Sequence, residues 1–431
     1  MRCLPLILVL AGGVAAADEP TPPPPAPEPV PAGDPPPAAP LETAPAASLP
    51  PPSVAPPPTV VEQPRARTET EKEMLASYEP TSVAIGGYLQ PQFRTRQDSP
   101  AQFDEDGFKF ARARVIVQAA TRAGNLELSA FFETELQPQF ELEDAYGSIA
   151  RTFPQKRGLP GRIVLDGGQM RVPISRQNMV SDSRLSFVDK AQIASIAPQR
   201  DLGARLTIAP PKVPARVIAG VFNGEGKNQV ENINQSYLLT ARVELSPWGR
   251  DAQLAESAFV GKLLTLGLSY GHNKLSGQAS SVEKRQHFGV DLAAAWNGVS
   301  AAFEYLQVDH DYNGPGDPSM LPPAYTANGF AAQLAYLLPV KLPPLKQARI
   351  ELAARVEEID RNDFFPISQL GDPNQSVRIY TGVLSYYLRM HNLKAQLAFN
   401  HIEEIEDRTV VGEKADYKND QLLLQITYRV E

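Results

Sequence analysis

The 431-residue chain carries one cysteine, Cys3, so no disulfide can form within it, and stability must come from hydrogen bonding and packing. Cys3 lies upstream of the apolar run that follows it, whereas a lipid-bearing cysteine would sit just after such a run. No apolar run reaches the ~20 residues that a transmembrane helix needs. An excess of positive charge is also missing: 41 Lys and Arg stand against 49 Asp and Glu, for a net charge of −8. With no basic stripe, a nucleic-acid partner is excluded. The sequence contains no GxSxG elbow, no HExxH helix and no phosphate-binding loop, so neither a catalytic residue nor a cofactor is expected. Gly224-Glu225-Gly226 lacks the further glycine of such a loop and reads as a turn beside Asn223. The five histidines (His272, His287, His310, His391, His401) show no ligand pairing. Asp309, Asp311, Asn313, Gly314 and Asp317 miss the spacing of a calcium loop and read as a solvated acidic turn.

What the chain does have begins with an export signal. Arg2 gives a short positive start, Leu4 to Val14 an apolar core, and Ala15-Ala16-Ala17 a small-residue cleavage site, so 1–17 reads as a secretory signal peptide. Residues 18–67 follow as a Pro/Ala-rich stretch holding about half of the chain's 42 prolines. Proline lacks an amide donor and fixes φ, so the stretch reads as a disordered, extended periplasmic tether, either an inert spacer or a cell-wall contact. Residues 68–82 form a short charged segment with room for a helical turn or two.

From residue 83 the texture becomes period two, the mark of strands with one apolar face. Leu126, Leu128, Ala130, Phe132 and Leu136 oppose Glu127, Ser129, Glu133 and Glu135. Ile350, Leu352, Ala354 and Val356 oppose Arg349, Glu351, Arg355 and Glu357, and Leu393, Ala395, Leu397 and Phe399 oppose Lys394, Gln396 and Asn400. The last run sets Leu422, Leu424, Ile426, Tyr428 and Val430 against Gln421, Gln425, Thr427 and Arg429. Sixteen strands are expected, near 83–96, 108–121, 126–137, 141–151, 162–172, 201–209, 215–223, 235–245, 262–272, 286–297, 299–309, 328–338, 347–360, 375–389, 392–403 and 417–430. An even number of roughly ten-residue strands suits a closed transmembrane barrel.

Which face points inward decides between water and lipid as surroundings. Sixteen strands closed into a soluble barrel would enclose more volume than their side chains can fill. Here one face is apolar and the other carries charges of both signs, which fits an exterior in lipid and a lumen in water. The expected fold is therefore all-β: a closed antiparallel transmembrane barrel over 83–431, in the outer membrane of a Gram-negative bacterium. Tyr270, Tyr336, Tyr386, Tyr387 and Tyr428, near strand ends, suit interfacial girdles. Residues 174–199 lack alternation, and a long irregular connection of this kind in a wide barrel suits a loop folded inward to narrow the pore.

The sequence resembles the phosphate-selective porin O and P family. Over roughly 83–431 the resemblance rests on Gly87-Tyr88-Leu89-Gln90, Asp106-Gly107-Phe108-Lys109-Phe110 leading into Arg112-Ala113-Arg114, and Leu142-Glu143-Asp144-Ala145-Tyr146. It continues through Gly168-Gln169-Met170-Arg171-Val172-Pro173, Arg200-Asp201-Leu202-Gly203 and Phe222-Asn223-Gly224-Glu225-Gly226. The resemblance implies a trimeric sixteen-stranded barrel whose passive channel favours small anions such as phosphate or polyphosphate. It assigns Arg112 and Arg114 to an arginine-bearing wall and sets Arg171 and Arg200 at the two ends of the long loop. Position and alternation add Arg94, Arg176, Arg184, Lys190 and Arg205 as channel-lining candidates. Glu127, Glu133, Glu135, Glu351 and Glu357 share the polar faces and oppose a strongly positive field. A general, non-selective porin and a structural outer-membrane anchor remain as alternatives.

A stretch that cannot pack against anything should be dispensable for folding. A chain starting near Thr68 behind a signal peptide is expected to give a heat-modifiable, protease-resistant barrel; loss of that resistance would show that residues 20–66 take part in folding.

Overall fold

The computed structural model describes residues 81–97, 106–153, 161–210, 213–233, 236–248, 256–276, 282–313, 324–340, 348–361, 376–405 and 420–430. The leader, the proline-rich stretch and the charged segment through Pro80 lie outside the described residues. Sixteen antiparallel strands close into one barrel. In chain order they are β1 (Ser82–Arg96), β2 (Gly107–Ala123), β3 (Leu126–Glu135), β4 (Glu141–Thr152), β5 (Arg162–Arg171), β6 (Arg200–Ala209), β7 (Ala215–Phe222) and β8 (Leu238–Trp248). They continue as β9 (Leu263–Ser276), β10 (Val282–Trp296), β11 (Val299–Asn313), β12 (Tyr325–Leu337), β13 (Arg349–Asp360), β14 (Val377–Arg389), β15 (Leu393–Glu404) and β16 (Gln421–Val430). Each strand pairs with its sequence neighbours, and β1 pairs with β16 to close the ring, Gly87 opposite Val430 and Arg96 opposite Gln421.

One end of the barrel carries tight turns. Gly124-Asn125 joins β2 to β3, and Asn297-Gly298 joins β10 to β11. Asn297 and Gly298 both sit at positive φ, 48° and 86°, as a two-residue hairpin matching strand twist requires. The opposite end carries the longer connections, the longest being 172–199 between β5 and β6. In outer-membrane barrels short turns face the periplasm and long loops face outward.

Burial is inverted relative to a soluble protein. On β16 Leu424 is 48% exposed while Gln425 beside it is 1% exposed; on β13 Leu352 is 51% exposed and Glu351 fully buried. Leu424 and Leu397 face each other across β15 and β16 on the outer surface. An apolar exterior around a polar interior is stable only where the exterior meets lipid, and in lipid an open sheet edge would leave backbone donors and acceptors unsatisfied.

Two sequence expectations need correction. Tyr387 belongs to no girdle: it faces inward, fully buried, and donates to Glu351 at 2.8 Å, because alternation that turns Tyr386 outward turns its neighbour in. Several strands also run further than expected. β9, β10 and β11 extend through Ser276, Val282 and Asn313 at the long-connection end. There the residues are polar on both faces, as in Lys284-Arg285-Gln286, so the hydropathy pattern stops while the hydrogen-bonded ladder continues.

A charge placed at mid-depth on the lipid face of such a barrel costs about 2–4 kcal/mol. Leu424→Arg is expected to lower unfolding free energy in lipid vesicles by that amount. Gln118→Arg, at an exposed lumen position that faces water, should cost much less; equal losses would contradict the inside-out assignment.

Candidate functional site

The connection 172–199 lies inside the barrel and divides its lumen. Its first helical turn, α1 (Arg176–Met179), starts at Ser175, whose hydroxyl accepts from the Asn178 amide at 3.2 Å. The free amides of Arg176 and Gln177 donate to the two carboxylate oxygens of Glu304 on β11, at 2.8 and 3.0 Å. Short 3-10 turns follow at Asp182–Arg184 and Gln192–Ile196. One face of the connection is apolar and packs on the wall. Ile174, Ile193 and Ala197 meet Phe222, Leu238, Leu306 and Ala331, and Phe187 and Val188 meet Ala335, Val383, Ala398 and Leu423. Those wall residues are apolar side chains on lumen faces, and they mark the footprint of the connection.

Polar anchors fix the same face. Lys394 donates to the Leu185 carbonyl, Gln396 to the Ser186 carbonyl at 2.9 Å, and Arg355 to the Asp189 carbonyl at 3.0 Å. From the short-turn end, Glu256 of the β8–β9 connection accepts from the Ser186 amide at 2.8 Å, and its own amide donates to the Arg184 carbonyl at 3.0 Å. The connection is thus held from both ends of the barrel.

Its other face is charged and looks across at β1–β6. Asp182 pairs with Arg114 at 3.2 Å, Arg112 at 3.3 Å and Lys190 at 3.7 Å. Asp189 pairs with Arg94 at 3.2 Å and Arg112 at 3.7 Å. Arg114 also meets Glu135 at 2.8 Å, Glu133 at 3.1 Å and Glu143 at 3.4 Å. Arg200 meets Glu143 at 2.6 Å and Asp144 at 3.1 Å. Arg171 donates to the Met179 carbonyl at 2.8 Å, and Arg205 to Asp166 at 2.9 Å. Asp182 is buried, which by itself would raise its pKa, yet Arg112, Lys190 and Arg114 outweigh burial and hold its carboxyl well below the usual range.

Among the described residues, two water-accessible chambers hold most of the candidate cations. The one toward the long connections measures about 390 Å3 and is lined by Arg94, Arg112, Arg114, Lys190, Arg200 and Lys227, against the carboxylates Glu143, Asp182 and Asp189. The other, toward the tight turns, measures about 560 Å3 and is lined by Arg171, Arg184, Arg205, Arg216 and Arg429 against Glu133 and Asp144. Cations outnumber carboxylates in the lining of both. Eight of the nine candidate residues therefore fall on these chambers, five on the first and three on the second. Arg176 departs from them: its side chain lines a small cavity with Ser186, Glu256 and Gln333. Lys227, Arg216 and Arg429 had not been singled out. Arg216 faces Glu244 across β7 and β8, on a polar face like any other strand arginine, and Lys227 sits in an irregular connection where alternation says nothing.

A barrel with an apolar exterior and charged chambers inside has the build of an outer-membrane channel. The sequence pattern of the phosphate-selective porin O and P family matches residues 153–429, well over half of the chain. The chain belongs to this family. It is an outer-membrane porin. The match starts at Phe153, so the segments around Gly87 and Arg112 lie outside it. No curated protein sequence matches the chain. Among solved structures, the anion-selective porin from Comamonas acidovorans superposes with a TM-score of 0.56 at 11% identity, covering 81% of this chain and 100% of that one. The trimer form of OmpT from Vibrio cholerae gives 0.54 at 10% identity, with 82% and 100% covered. The outer membrane channel DcaP of Acinetobacter baumannii gives 0.51 at 12% identity, with 81% and 97% covered. At such identities the likeness is one of fold.

Lys190 in the porin's loop gives a pH test. Burial pushes its ammonium down to about 7. The single carboxylate of Asp182 opposes that shift, and Arg171, Arg200 and Arg112 add to it. A lysine whose pKa is lowered is charged below that value and neutral above it. Raising pH from 6 to 8.5 is therefore expected to weaken any preference for anions, half of the change falling near pH 7. Zero-current potentials in a salt gradient would measure it, and Lys190→Met should flatten the profile.

Proposed function

We propose that the porin is an anion-preferring diffusion channel for small hydrophilic solutes, phosphate among them, with Arg94, Arg112, Arg114, Lys190 and Arg200 at the outer chamber and Arg171, Arg184 and Arg205 at the inner one. The observation that carries this reading is the division of the lumen. The inward connection packs on the wall from β7 round to β16, so the open space lies mainly beside the arginine-bearing wall of β1–β6. Acidic partners orient each guanidinium and reduce the field, while cations outnumber carboxylates among the side chains that line each chamber. Guanidinium forks in such positions suit oxyanions. The family and the anion-selective porin from Comamonas acidovorans support the same preference.

Assembly and topology complete the proposal. The trimer form of OmpT supports a homotrimer for this chain, and the apolar belt supports contact with outer-membrane lipid. Residues 1–17 serve as the export signal, 18–67 as the periplasmic tether, and 68–82 as the link to the barrel.

The structure changes which arginines make a clean test. Removing Arg114 would leave Glu133, Glu135 and Glu143 without their common partner, a loss worth about 3–5 kcal/mol for a buried charge. Arg94 and Arg112 lean on Asp189, which is partly exposed to water, and on Asp182, which keeps Arg114 and Lys190, so both can be neutralised with less damage. At ~8 Å from a passing ion in a water-like medium, each charge contributes about 0.5 kcal/mol. Replacing both by Gln removes about 1 kcal/mol of attraction for an anion and as much repulsion of a cation, so the anion-to-cation permeability ratio is expected to fall by up to about thirtyfold at low salt, with the effect shrinking as screening shortens. The zero-current potential of the folded double variant measures it. An unchanged potential would leave the channel a general porin.

A further inference from the structure

The two chambers differ in kind. The outer one is lined by charged and amide side chains with a few alanines, the surroundings a small hydrated anion needs. The inner one sets arginines against an apolar shelf. Phe131 on β3 stacks on Tyr146 on β4, ring centres 5.3 Å apart and planes 23° from parallel. Met179 of α1 and Ile116 line the same space. Phe131, Tyr146 and Met179 are only half buried, so their surfaces face the chamber.

That exposure is unusual in this lumen. Elsewhere the apolar side chains of the inner wall, such as Phe222, Leu238, Leu306 and Leu423, are covered by the inward connection. Tyr146 packs in part on the cluster of Met170 and Ile174, and the rest of the aromatic pair faces the chamber beside Arg171 and Arg205, which line the same space. Apolar surface facing water beside cations is unfavourable unless a solute covers it, and a bare inorganic anion has nothing with which to cover it. An anion with a flat apolar body does both: its carboxylate meets guanidinium and its ring lies on the aromatic shelf. A volume of about 560 Å3 is in the range of sites for small organic ligands.

We propose that the inner chamber is a binding station for organic anions of the aromatic carboxylate class, so that the porin passes such acids in preference to aliphatic acids of equal charge. This rests on the anion-channel reading and names a solute class within it.

The test uses the full-length porin in planar bilayers, with potassium chloride current read while sodium benzoate, sodium acetate or inorganic phosphate is added to each face. Benzoate is expected to reduce the current with a half-blocking concentration about tenfold below that of acetate or phosphate. The heat-modifiable variant Phe131→Ser/Tyr146→Ser should lose that difference and keep the parent's zero-current potential in potassium chloride. Should the double variant fail to fold, Phe131→Leu removes one ring while keeping apolar bulk, and its benzoate–acetate ratio should fall. Equal block by benzoate and acetate in the parent, or an unchanged ratio in a folded variant, overturns the proposal. A cation-preferring zero-current potential in the parent would instead overturn the anion-channel reading, and the benzoate–acetate ratio would still decide on the shelf.

Discussion

Everything in this barrel follows from the requirement that no backbone amide or carbonyl be left unpaired in hydrocarbon. An unsatisfied peptide group there costs several kcal/mol, so a sheet in lipid must close on itself. Closure through β1 and β16 is what makes the inside different from the outside. Once the ring exists, alternation assigns every side chain to lipid or lumen, and burial inverts: leucines such as Leu352, Leu397 and Leu424 stay exposed while Glu351, Gln425 and Thr427 disappear from the surface.

A sixteen-stranded ring is too wide to be filled by its own wall, and the inward connection solves that problem asymmetrically. Its apolar side turns part of the lumen into a packed core around Ile193, Phe187 and Leu423. Its charged side forms the far bank of the remaining passage. Glu304 at the start of α1, Lys394 and Gln396 near Leu185 and Ser186, and Glu256 arriving from the other end fix it in one register. The result is a pair of off-centre charged chambers, mainly beside β1–β6, in place of one wide axial lumen.

In and between these chambers charge is managed by pairing. Arg114 stands among four carboxylates, and Arg200 among Glu133, Glu143 and Asp144. Such lattices hold long side chains in fixed rotamers and keep the wall from collapsing into the water-filled space. They also temper the field, since each acid near a guanidinium offsets part of its pull on a solute. What a passing ion senses is the local surplus and the chemistry of the surface beside it, charged in the outer chamber and partly aromatic in the inner one.

Period-two hydropathy determined the number and order of the strands and the inside or outside placement of residues such as Glu133, Arg114, Leu352 and Tyr428, because in a strand the side-chain period is fixed at two by backbone geometry. It stopped where both faces meet water, hence the missed ends of β9 to β11, and it could not keep Tyr386 and Tyr387 on one face. Spacing along one strand carries no information about what stands opposite across the lumen. The pairing of Asp182 with Arg112 and Arg114, the arrival of Lys227, the separation of Arg176 from the other cations and the meeting of Phe131 with Arg171 and Arg205 in one chamber were decided only by the tertiary structure. Closing the ring brings together residues tens to hundreds of positions apart, and the fold of the inward connection then selects which of them face open water.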